Sequence, residues 1–91
     1  MTGPQVDALR AATRHAGATG GLWHAQRLEL MAHAEWVRVV AEMGPGARAV
    51  EEALQAFYTA QAHRKWCAGE VESASNDLSA SMRAVMQESR R

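Results

Sequence analysis

Ninety-one residues with ten Lys+Arg against ten Asp+Glu make a short, electrically balanced chain, which bounds it to one small domain with a thin core. The balance removes the electrostatic reason to expect nucleic-acid or acidic-membrane binding. Nineteen Ala, no Ile and two Pro argue against a β-rich fold and predict an all-α one.

From Pro4 onward the residues repeat in sevens. Leu9, Ala16, Trp23, Leu30 and Val37 form one row, with Val6, Thr13, Gly20, Arg27, Ala34 and Ala41 as its mostly small companion row. Such a stripe predicts a helix packed along its length on another helix, with Leu9, Trp23, Leu30 and Val37 in the seam. The first arm is expected over about 4–43, starting near Thr2/Gly3 with Pro4 in the first turn, where its missing N–H costs nothing. Gly17, Gly20 and Gly21 weaken it, each by up to ~1 kcal/mol against Ala. The expectation is a continuous but weak helix there, the alternatives being a break or a close approach of the second arm.

Gly44–Pro45–Gly46 ends the arm: Gly44 is free to take the left-handed conformation and Pro45 blocks continuation. This is the predicted hairpin tip, 44–46. The second arm, about 47–88, repeats the pattern with Val50, Phe57, Arg64, Val71, Leu78 and Val85, and Leu54, Gln61, Ala68, Ser75 and Met82 beside them. Its seam residues are read as Leu54, Phe57, Val71, Leu78 and Val85. Glu51 and Glu52 fall in its first turn, favourable against the helix dipole. So short a tip forces antiparallel neighbours, and folding about residue 45 sets Arg27 opposite Arg64 or His63. Two arginines facing each other need Glu29 or Glu70 to reach them, or else snorkel to solvent.

The fold class expected is therefore an all-α antiparallel two-helix hairpin, one domain over 1–91. Leu22, Trp36 and Met43 on the first arm, and Tyr58, Ala62 and Trp66 on the second, fall outside the predicted seam. Large apolar residues left over in this way mark a second packing surface, so the hairpin is expected to pair with another helical protein, as a homo- or heterodimer, into a four-helix bundle.

Chemistry is sparse. Cys67 is the single cysteine, so no intrachain disulfide forms, and it reads as a small buried apolar residue. His63 lies one turn before it and His24 is expected across the hairpin, but the set lacks a fourth zinc ligand other than Glu70. No phosphate loop, nucleophile elbow or catalytic triad pattern is present, and Glu51/Glu52 and Glu70/Glu72 lie on turns expected to be solvated. The reading is a non-enzyme without cofactor, metal site or small-molecule substrate. No apolar run is long enough to span a bilayer, and MTGPQVDALR has no apolar core of a secretory leader, which points to a cytoplasmic chain. Nine Arg to one Lys, with one Asn and one Phe, is an actinobacteria-like bias of a GC-rich genome.

A helical hairpin of this length with a Gly-containing tip resembles the small proteins of type VII secretion. Most carry W-x-G at the tip, where this chain has Met43–Gly44–Pro45. It is most similar to the EspC-type branch, whose tip carries Gly-Pro. The matching stretches are VDALRAATRHAGA at the start, Ala53–Leu54 and Phe57–Tyr58 after the tip, and Leu78-x-x-Ser81-x-Arg83-x-Val85 near the end. The resemblance implies a type VII substrate, leaving the cell by a non-Sec route, or the partner of one. Members recognised directly carry Y-x-x-x-D/E after the second helix; Met86 and Arg90 occupy those places, and Tyr58 is the only tyrosine. The chain is then expected to be the signal-free member of a pair. The alternative is a homodimeric cytosolic adaptor or regulator with no secretion role.

Overall fold

The computed structural model describes residues 1–90. They form two helices, α1 (Gly3–Met43) and α2 (Arg48–Ser89), joined by a four-residue tip. At about 1.5 Å per residue each helix is about 60 Å long, and the whole measures 68 × 14 × 13 Å between Cα extremes. That is two rods side by side, an all-α antiparallel hairpin.

The first helix is capped at both ends by its own sequence. Thr2 Oγ1 accepts the Gln5 N–H at 3.3 Å, and Gln5 Oε1 accepts the Thr2 N–H at 3.1 Å, so two otherwise orphaned donors are satisfied reciprocally. The Thr2 hydroxyl also donates to Glu88 Oε2 at 3.2 Å, tying the start of α1 to the end of α2. At the tip, Gly44 has φ 82° and ψ 158° and donates its N–H to Val40 O at 3.0 Å. That backbone is strained for any residue with a Cβ. Pro45 then denies the helix a donor, and the Val50 and Glu51 N–H groups turn back onto Ala47 O to open α2.

α1 runs unbroken through Gly17, Gly20 and Gly21. A Cβ at any of the three would meet nothing within 4 Å, so these glycines neither break the helix nor bring α2 closer. They weaken α1 without any packing return.

The core lies along the line between the helices and is one side chain deep. Its buried members are Ala25, Val39, Val50, Cys67 and Ala74, and no large side chain among the described residues is fully buried. On α2 the row Val50, Phe57, Arg64, Val71, Leu78 and Val85 faces α1, beside Ala53, Ala60, Cys67 and Ala74; Leu54 is half-buried at its edge. On α1 the facing rows are Ala11, Ala18, Ala25, Ala32 and Val39, and Ala8, His15, Leu22, Glu29 and Trp36.

This corrects the sequence reading of α1. Leu9, Trp23, Leu30 and Val37, expected in the seam, are exposed by 55%, 73%, 70% and 50%. Leu22 and Trp36, expected on a partner surface, are half-buried within the hairpin. Two heptad rows one residue apart have identical spacing, about 100° apart around the helix, so period alone does not choose between them. Closeness does. Ala11, Ala18, Ala25 and Ala32 share the covered face with Ala60, Cys67 and Ala74 of α2, and such small side chains let two backbones run near each other; a row carrying Trp23 and Leu30 would wedge them apart.

The same rotation removes the expected clash of arginines. Arg27 is exposed, and Glu29 stands in the seam instead. Arg64 Nε donates to Glu29 Oε2 at 2.6 Å, with both side chains under a third exposed.

Candidate interaction surface

The hairpin has two long sides of different chemistry. Residues just before the seam rows share one of them. There Arg14 pairs with Asp77, lies 3.9 Å from Glu70 and donates to Ser73 Oγ at 3.3 Å. Further along, Arg38 donates to Glu35 and, at 2.7 Å, to Glu42. The hydrogen bond from Arg38 holds the Glu35 carboxyl below its ordinary value and pushes the guanidinium further up. Isolated apolar residues, Leu28, Met31 and Trp66, sit among these charges.

Residues just after the seam rows share the opposite side. On α1 these are Leu9, Ala16, Trp23, Leu30 and Val37, with no charge among them, and, nearer the seam, Ala12, Thr19, Gln26, His33 and Val40. On α2 they include Tyr58 and Met86, each about half exposed, with Met82 alongside. The result is an apolar ladder along α1, flanked on α2 by a mixed row in which Glu51, Lys65 and Glu72 are also exposed. The next row round α1, Thr13, Gly20, Arg27, Ala34 and Ala41, adds a single charge. An uninterrupted stripe of this kind on a free surface is unusual for a monomer.

Of the residues expected to meet a partner, Met43, Tyr58, Ala62 and Trp66 are exposed, but they form no single patch. Tyr58 leans toward Phe57, at 6.0 Å between ring centroids, on the ladder side. Trp66 stacks on His63 at 6.3 Å and borders a shallow depression with Arg14, Gly17, Gly21 and Cys67 on the charged side. Met43 lies at the tip. Residues missed by sequence reasoning are the ladder members themselves, whose perfect spacing was the signal and was assigned to the wrong contact.

At the tip end Trp36 stacks nearly parallel on Phe57, 6.3 Å between centroids, with His33 edge-on to both. Trp36 Nε1 is enclosed without an acceptor among the described residues. Cys67 is buried, its Sγ 3.7 Å from His63 Nε2. No group of three or more His, Cys, Asp or Glu among the described residues is arranged to hold a metal ion, and no helix there is long and apolar enough to cross a membrane. The concavities are shallow, open depressions along the seam and at the two ends.

No family model matches the chain, and no curated protein and no solved structure matches it.

Proposed function

We propose that this hairpin is a non-catalytic pairing module whose apolar ladder docks on another helical protein, completing a four-helix bundle. The observation that carries it is the exposed row Leu9, Trp23, Leu30 and Val37: a two-helix unit hides one stripe per helix, and α1 bears two. The Gly44–Pro45–Gly46 tip and the short motifs around it support a type VII secretion context, as a substrate or as the signal-free partner of one. With Met86 and Arg90 where the Y-x-x-x-D/E signal would lie, export would depend on the partner. A homodimeric cytosolic adaptor with no secretion role is the second reading, favoured by the same missing signal.

The test is affinity purification of the tagged chain from its own host, beside a Leu30→Glu variant. Recovery of a stoichiometric helical partner by the wild type, lost in the variant, is expected. Equal recovery by both would remove the ladder from the interface, and a secretome free of the chain would remove the secretion context.

A further inference from the structure

His63 and Cys67 stand one turn apart on α2, so helix geometry puts both side chains on one face. Cys67 Sγ lies 3.7 Å from His63 Nε2. With bonds of about 2.3 Å to sulfur and about 2.0 Å to nitrogen, an ion held by both atoms at that separation subtends an angle of about 120° between them. The two atoms therefore already stand at the spacing of neighbouring ligands on one metal ion, with no change of backbone or of helix packing.

The pair is also fixed in place. The Trp66 ring stacks on the imidazole, 6.3 Å between centroids and 12° from parallel, and Cys67 is only 6% exposed, within the seam. The thiol is not sealed off, however. Cys67 lines the shallow depression that Arg14, Gly17, Gly21 and Trp66 also border, and both glycines leave open space there. His63 itself is exposed. An ion can reach the pair from solvent, and a further coordination position opens toward the depression.

Ligand count and charge decide which ion fits. Among the described residues no third His, Cys, Asp or Glu completes the set, so zinc, which takes at least three protein ligands, is poorly served. A dication on one thiolate would also leave a net positive charge against an apolar seam, which is costly. A soft monocation leaves none: it cancels the thiolate, and the imidazole stays neutral. Thiolate and imidazole are both ligands of copper, and thiolate selects its monovalent form.

We infer that Cys67 and His63 form a two-ligand site for one soft monovalent metal ion of the copper(I) class. The site lies on the charged side of the hairpin and does not depend on the pairing reading. Binding breaks the Cys67 S–H bond, forms a sulfur–metal bond and releases one proton to solvent, with no electron transferred. The ion bridges two residues of α2 alone, so it stiffens one turn of that helix and does not clamp the two helices together.

The test titrates copper(I) into the full chain without oxygen, in competition with a chromogenic copper(I) chelator. The wild type should take up one equivalent per chain, develop a thiolate-to-copper ultraviolet absorption band, and melt several degrees higher. Cys67→Ser should lose the band and the uptake together. Exposed His63→Gln, which leaves the seam intact, should weaken the affinity by at least about tenfold. Zinc should leave the melting temperature unchanged. Failure of the wild type to take copper from the chelator overturns the inference. So does a His63→Gln variant that binds as tightly as the wild type, since the thiol would then act alone. One ion per two chains also overturns it, because two thiolates from separate copies would then replace the pair within one helix.

Discussion

α1 carries two rows of equal period and opposite content. One holds Ala11, Ala18, Ala25 and Ala32 and is buried; the other holds Leu9, Trp23, Leu30 and Val37 and is exposed. Hydrophobic area alone would bury the second, at about 25 cal/mol per Å². The hairpin instead buries the row that lets the backbones approach, gaining many close contacts from small groups, and its larger apolar residues remain outside. A fold with no fully buried large side chain among its described residues is thinly stabilised by itself. The contrast teaches that the seam of this molecule is chosen by fit and its outer face by size.

The sharpest way to break the contrast is to enlarge the buried row. Ala25→Leu or Ala74→Leu should cost about 2–3 kcal/mol by overpacking and lower the melting temperature by roughly 10 °C. Leu30→Ala, at concentrations where the chain is monomeric, should stay within about 0.5 kcal/mol. Circular dichroism melts measure both, and equal effects would show that the two rows are not distinguished as described.

Next in size is the ion pair across the seam. Arg64→Met alone leaves Glu29 half-buried without its partner and should cost about 1–2 kcal/mol, while Arg64→Met with Glu29→Leu should recover most of the loss. A double-mutant cycle reads the difference. Exposed Arg38→Ala, which loses contacts only within α1, should cost less than about 1 kcal/mol.

Glycine substitutions sharpen the comparison further because their signs differ. Gly17→Ala and Gly21→Ala enter open helical space and should each stabilise by about 0.5–1 kcal/mol. Gly44→Ala, at φ 82°, should destabilise by about 1 kcal/mol or more. A stabilising Gly44→Ala would overturn the tip geometry.

The smallest effect is electrostatic. Glu35 is held below its ordinary value of 4.5 by Arg38, so the unfolded chain takes up its proton first as pH falls. The contribution is present in full above 4.5 and is lost below it, as pH drops through the folded value. Glu35→Gln should lower stability slightly at neutral pH and leave it unchanged in acid, and so flatten the acid side of the profile.

Much of this was legible in the sequence. The helix-forming composition, the Thr2 cap with Pro4 behind it, and the Gly44–Pro45–Gly46 interruption are local signals, because propensity, capping and positive φ act within a few residues. The heptad rows were equally legible, that of Leu9, Trp23, Leu30 and Val37 among them. Which row faces α2 was not. Rows at Leu22/Trp36 and at Trp23/Val37 differ by one residue, and only the summed fit of α1 against α2 over some 60 Å selects the alanine row. That selection in turn seated Glu29 on Arg64, turned Trp66 toward Arg14 and Tyr58 away from it, and left the ladder free. Period is a property of one helix and can be read from it. Facing is a property of two, and depends on how closely their backbones can come.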